Sequence, residues 1–145
     1  MQQLIKSNDQ LKIFIANELK NTENELISGR LVEVVAAYLV RLSGIRANLK
    51  GYNYLVKVIT YGVIDPNLLH PLSKGAYISA SEVFGVKVSC LERNIRLAID
   101  SAYYNSPEQL RSIFAYPGDK PYVSEYIAVA VDLIRQEILK RKLTI

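Results

Sequence analysis

The sequence is poor in the residues that form disulfides and metal sites. Its 145 residues include one cysteine, Cys90, one histidine, His70, and no tryptophan. A lone cysteine excludes an internal disulfide, and one cysteine with one histidine cannot supply the four ligands of a structural zinc site. We therefore expect a fold held by its hydrophobic core, with no metal and no cofactor.

Long apolar segments are also missing. Arg41, Lys50 and Lys57 interrupt the most apolar part of the chain, so no run reaches the roughly 18 residues that a membrane span needs. The N-terminus lacks the apolar centre of a signal peptide, and no glycine-rich phosphate loop or nucleophile elbow is present. We expect a cytoplasmic protein that does not contact the membrane and is not an enzyme.

Acidic residues are outnumbered, with 14 Asp and Glu against 18 Lys and Arg, for a net charge of +4. Residues 1–28 hold three lysines and four carboxylates, so the remainder of the chain carries +5. A basic body permits an anionic partner such as nucleic acid but does not identify one. The cations at the C-terminus (Arg135, Lys140, Arg141 and Lys142) are better explained as favourable charges at the C-terminal dipole of a solvated helix end than as a binding patch.

Apolar residues recur mostly at helical spacing, which predicts an all-α fold, a compact bundle of about six or seven helices. The first helix is expected to begin at Ser7, with Gln10 completing a capping box, and to break near Asn21. It would form an N-terminal helical extension over residues 1–28. Later helices are expected over about 30–42, 50–64, 74–84, from Ser89, from Ser106-Pro107, and over about 123–142.

Residues 74–103 have the pattern of a helix-turn-helix. A short helix ends at Gly85, which can adopt the left-handed conformation of a tight turn, and a capping box of Ser89 with Glu92 would start the next helix. The side expected to be buried carries Leu91, Ile95, Ala98, Ile99 and Ala102. The exposed side would carry Cys90, Arg93, Asn94, Arg96 and Leu97. In a major groove, arginine can bind guanine and glutamate can accept from cytosine.

An ordinary pair of helices with a solvated face explains the same pattern. In that alternative, Glu92 caps Ser89 and pairs with Arg96 at i,i+4, a contact worth about 0.2–0.5 kcal/mol. Periodicity does not decide between the two interpretations.

Four segments, taken in order, resemble one known family. They are LKGYNYLVKVI (49–59), LSKGAYISASEVFGVKVSCLERNIRLAIDSAY (72–103), SIFAY (112–116) and KPYVSEYIAVAVDLIR (120–135). Together they are similar to the C-terminal effector domain of the stage-zero sporulation protein A family, bacterial response regulators of sporulation. The resemblance covers about residues 31–140, and it implies a six-helix DNA-binding effector domain over residues 29–145.

The resemblance also implies roles for individual residues. Glu92, Arg93 and Arg96 match positions that read bases and phosphates. Lys120 matches a lysine near the DNA backbone, and we expect Lys74 and Lys87 to contact the backbone as well. Two positions depart from the family: Cys90 replaces an arginine that reads a base, and Leu97 replaces a histidine. We therefore expect an altered or weakened sequence preference.

Protein partners follow from the same resemblance. The segment from Tyr103 to Tyr116, including Gln109 and Ser112, matches the region through which the family contacts a sigma subunit of RNA polymerase. The first helix, with Leu11, Ile15 and Leu19 on one side, is a candidate surface for a homodimer or another partner, although packing onto its own domain is an equal alternative. Because 28 residues are too few for the family's receiver domain, we expect no control by aspartyl phosphate in a chain of this length.

Two functions remain open at this stage. The first is a transcription regulator that binds double-stranded DNA and inserts the helix starting at Ser89 into the major groove. The alternative is an interaction module without DNA binding, an antagonist that pairs with a full-length regulator or with the sigma subunit.

Overall fold

The structure is a computed structural model that describes residues 2–19, 28–114 and 120–141. In the first of these ranges, side chains are described only from residue 9 to residue 18. The described residues contain seven α-helices. They are α1 (Gln2–Leu19), α2 (Gly29–Leu42), α3 (Lys50–Ile64), α4 (Ala76–Phe84), α5 (Val88–Asn105), α6 (Pro107–Ile113) and α7 (Val123–Lys140). Two short 3-10 helices, Pro66–Leu69 and Leu72–Lys74, lie between α3 and α4. No strand occurs in these ranges, and the predicted all-α class is confirmed.

Helix α3 lies at the centre of the bundle. It packs against α2, α4, α5 and α7, and ten of its 15 residues are buried. A helix that is apolar on nearly every side has to be covered on nearly every side. The helices around α3 therefore each present one apolar stripe inward and leave a polar side exposed.

Several helix ends lie where glycine and proline predict them. α2 ends before Gly44, whose φ is +93°, and α4 ends at Gly85, whose φ is +64°. α3 spans the predicted range and ends at Ile64, with Asp65 as its C-cap, because the following Pro66 disfavours helical geometry in Asp65. α6 begins with Pro107. Proline is tolerated at the first position of a helix because a backbone N–H there would have no intrahelical acceptor.

Two predicted helix starts are wrong. α5 begins at Val88 with Lys87 as its N-cap, so Ser89 lies inside the first turn and forms no capping box. The reason is that the Leu91 N–H bonds the Lys87 carbonyl at 3.0 Å while Val88 packs against the core, which draws the chain into the helix early. α1 begins at Gln2, before the cap expected at Ser7. The break expected near Asn21 lies outside the described residues.

Helix α1 packs onto its own domain, against α2 and α6. Leu11 and Ile15 belong to the core, and the Phe14 ring stacks on Tyr38 with 3.9 Å between ring centroids. The side that we considered as a dimer surface is therefore covered by the protein itself at these two residues. The Leu19 side chain lies outside the described residues.

Within the described ranges, no helix is both long and apolar enough to cross a bilayer.

Candidate nucleic-acid interface

Helices α4 and α5 are joined by the three residues from Gly85 to Lys87. The Gly85 N–H bonds the Glu82 carbonyl at 3.4 Å and the Val86 N–H bonds the Ser81 carbonyl at 3.1 Å, which closes the C-terminal end of α4. Ala80 on α4 is fully buried. The short connection and its hydrogen bonds fix the orientation of α5 relative to α4.

The two sides of α5 differ as predicted. The buried residues of α5 are Leu91, Ile95, Ala98, Ile99 and Ala102. The opposite side exposes Arg93, Arg96 and Leu97, the last with 53% of its surface accessible. Because the apolar stripe is anchored in the core, the arginines are carried on a rigid helix and face outward.

The charged side chains at the N-terminal half of α5 are only partly paired. Arg96 forms an ion pair with Glu92 at 3.4 Å, the i,i+4 contact of the alternative interpretation. Among the described residues, Arg93, Lys87 and Lys74 form no ion pair. These three exposed cations have charges available to an anionic partner.

Asn94 is turned toward its own helix. Its Nδ2 donates to the Cys90 carbonyl at 2.8 Å and approaches the Cys90 Sγ at 3.5 Å. Cys90 is exposed as a free thiol. One donor group of the Asn94 side chain is therefore engaged within α5.

Tyr77 is a buried residue of α4 whose phenol is influenced by the charges of Glu92 and Arg96 on α5. Burial, and after it the negative charge of Glu92, raise the pKa of Tyr77 to about 12, while the positive charge of Arg96 opposes the rise. The phenol therefore stays neutral at physiological pH. The sequence did not predict this influence on Tyr77, because the charges belong to a different helix and the pairing has no spacing signature.

Lys120 approaches the same open side of α5 from the segment before α7. Its Nζ lies 2.9 Å from Asp100 Oδ1 and 5.9 Å from the centre of the Tyr104 ring. The hydrogen bond to Asp100 raises the pKa of the Lys120 ammonium. Asp100 is four residues beyond Arg96 and seven beyond Arg93, so Lys120 joins their side of the helix, with its charge partly compensated.

The three residues predicted to contact a protein partner differ in their exposure to solvent. Gln109 is exposed and Tyr103 is half-buried, with its ring edge against Tyr104 at 5.1 Å between centroids. Ser112 is 4% exposed, and its hydroxyl donates to the Gln109 carbonyl at 2.6 Å. A direct contact of Ser112 with a partner is thus incompatible with its place in the structure, because α6 turns this residue inward.

One comparison with known proteins bears on this arrangement. The family model described as "Sporulation initiation factor Spo0A C terminal" matches residues 35–134, more than half of the 145-residue chain. The matched range contains all of α3, α4, α5 and α6.

Proposed function

This chain belongs to the family of the sporulation initiation factor Spo0A C-terminal domain, a family of DNA-binding effector domains, and on that premise we propose that it is a transcription regulator that inserts α5 into the major groove of DNA. The observation that carries the proposal is the division of α5 into a buried stripe and an outward side that bears Arg93 and Arg96. In this proposal the protein acts in the bacterial cytoplasm.

The dimensions of α5 suit a major groove. An α-helix with its side chains is about 10–12 Å across, close to the groove width of about 12 Å. Arg93 has its guanidinium unpaired among the described residues, and such a group can bind guanine with two parallel hydrogen bonds. Arg96 has to exchange its contact with Glu92 for a base or a phosphate.

In this proposal, cations near both ends of the outward side of α5 contact the DNA phosphates. Lys87 occupies the N-cap position of α5, and Lys74 lies just before α4. Lys120 would contribute at the other end, where Asp100 reduces its effective charge. Cys90 lacks the guanidinium that the family carries there, and one missing bidentate contact weakens discrimination by about 1–3 kcal/mol.

Selection of bound duplexes from a random pool, followed by gel-shift titration, tests the proposal. We expect an enriched sequence, and we expect Arg93→Ala to weaken its binding by about 1–3 kcal/mol while relaxing the preference at one position. Arg30→Ala is the matched control, because Arg30 is an exposed arginine in the first turn of α2. Absence of binding at low salt would overturn the proposal, and equal losses in both variants would reject α5 as the reading helix.

A second candidate is an interaction module that keeps the fold without reading DNA. Leu97 favours it, because an apolar side chain with 53% exposure occupies the middle of the outward side of α5. The partner would be a sigma subunit or a second regulator chain, bound near Tyr103 and Gln109. In that case Arg93→Ala leaves DNA affinity unchanged, whereas Gln109→Ala weakens capture of the purified partner.

A further inference from the structure

Two exposed cations lie close together in the chain where α2 is followed by α3. Arg46 is in the connection between α2 and α3, and Lys50 is the first residue of α3. The sequence from residue 42 to residue 64 contains no carboxylate, and its remaining cation, Lys57, pairs with Glu33 at 3.2 Å. Among the described residues, Arg46 and Lys50 form no ion pair. Their charges are therefore available to an anion.

Two glycines place this connection against α5. A Cβ at Gly44 would lie 2.8 Å from the Ser106 Cβ, just beyond the C-terminal end of α5. A Cβ at Gly51 would lie 2.7 Å from the Ala98 Cβ, in the middle of the same helix. The chain between the two glycines thus runs back along α5. Ile45 is buried within this stretch and anchors it, so the two cations are carried on a fixed element.

The contact at Gly51 identifies which edge of α5 these cations flank. Successive residues of a helix turn by about 100°, so Asn94 and Ala98, both against Gly51, lie along one line. Cys90 and Leu97 border that line on the exposed side. Glu92 and Arg96 lie on the opposite edge, the one toward α4. Lys50, next to Gly51 in the chain, therefore flanks the edge of α5 that faces away from α4.

We propose that Arg46 and Lys50 bind the phosphates of the DNA strand that borders the major groove along this edge of α5. The assignment rests on the proposed function. A helix fills the groove, so cations beside the helix meet the backbone and not the bases. Cys90 and Leu97 supply no positive charge on this edge, which leaves phosphate binding there to the neighbouring element.

The test compares the double variant Arg46→Gln, Lys50→Gln with the wild type by fluorescence anisotropy on the selected duplex and on a random duplex. Removing two phosphate contacts should reduce the slope of log affinity against log salt by about 0.9 for each cation. If both proteins bind equally at about 1 M salt, the same relation gives about an eightfold loss per cation at about 0.1 M. The loss should be equal on both duplexes, because phosphates carry no sequence.

Arg30→Gln is the matched control. Arg30 lies next to Gly29, where a Cβ would be 3.4 Å from Ile64 Cδ1 at the C-terminal end of α3. Lys50 is at the other end of this 15-residue helix, about 20 Å away. The control should keep the wild-type slope. If the wild type binds no duplex, the proposed function fails. If the wild type binds and the double variant keeps its slope, or loses affinity on the selected duplex alone, only the present inference is overturned.

Discussion

Gly51 sets how closely α3 and α5 approach each other. A Cβ at this position would lie 2.7 Å from the Ala98 Cβ and would also meet the Asn94 backbone. Backbone cannot move aside as the end of a flexible side chain can. The same residue type at Gly85 has another role, because there the backbone has a φ of +64° and a Cβ would meet nothing within 4 Å.

We expect Gly51→Ala to destabilise the protein by about 1–3 kcal/mol, the usual cost of overpacking, even though alanine is the better helix former by about 1 kcal/mol. Urea denaturation measures the difference. Gly85→Asn is the control: asparagine tolerates the left-handed conformation, so its loss should be smaller. A Gly51→Ala protein as stable as the wild type would contradict the close helix crossing.

At the scale of the element, one nearly buried carboxylate, that of Glu137, binds two cationic side chains at the C-terminal end of α7. Glu137 accepts hydrogen bonds from Arg141 at 2.8 Å and from Lys140 at 3.4 Å. Burial by itself would raise the pKa of Glu137, but the hydrogen bonds and positive charges of Arg141 and Lys140 outweigh it and hold that pKa below its ordinary value. α7 also reaches the end of α3, where Arg135 donates to the Val63 carbonyl.

The lowered pKa predicts how stability depends on pH. A carboxyl group that is more acidic in the folded state stabilises that state above its unfolded pKa and loses the effect as pH falls through the folded pKa. Glu137→Gln should therefore cost about 1 kcal/mol at neutral pH, and the difference should close in acid. Thermal melting at a series of pH values checks this. Arg141→Gln should show the same narrowing, and a gap that widens in acid would contradict the assignment.

At the scale of the whole molecule, α1 is part of the core and not an appendage. Ile15 is 1% exposed, whereas Ile13, two residues earlier on the same helix, is 60% exposed. The contacts of α1 with α2 and α6 join the start of the described chain to the next helix and to one in its last third. Removal of α1 would uncover apolar surface on both helices.

We expect Ile15→Ala to lower the free energy of unfolding by about 2–5 kcal/mol, since it leaves a cavity in the core. Ile13→Ala is the matched control and should stay within about 0.5 kcal/mol of the wild type. Denaturant titration of both variants gives the comparison. Equal and small effects would mean that α1 does not pack as described.

Local chemistry allowed much of the fold to be predicted. Pro66 and the glycines at positions 44 and 85 fix backbone geometry within a few residues, and so the ends of α2, α3 and α4 followed from them. The stripe on α5 was equally readable, because a helix buries residues three and four apart on one side. The same reasoning failed at Ser89, where the burial of Val88 outweighed a favourable capping sequence.

Contacts between distant segments could not be predicted in this way. Ser112 was expected at a partner surface and is buried, and Lys120 is held by Asp100 across 20 positions of sequence. Neither the burial of Ser112 nor the pairing of Lys120 with Asp100 corresponds to a periodicity or a motif in the sequence. Both depend on how separate helices are oriented around the core.

The sequence by itself determined the helices, their apolar sides and the family to which the chain belongs, because these depend on residue types at short spacing. Only the tertiary structure decided that α1 packs on α2 and α6, that Lys120 is compensated by Asp100, and that Gly51 lies against α5. The physical reason is that side chains far apart in sequence interact only after packing around α3 has brought their helices together.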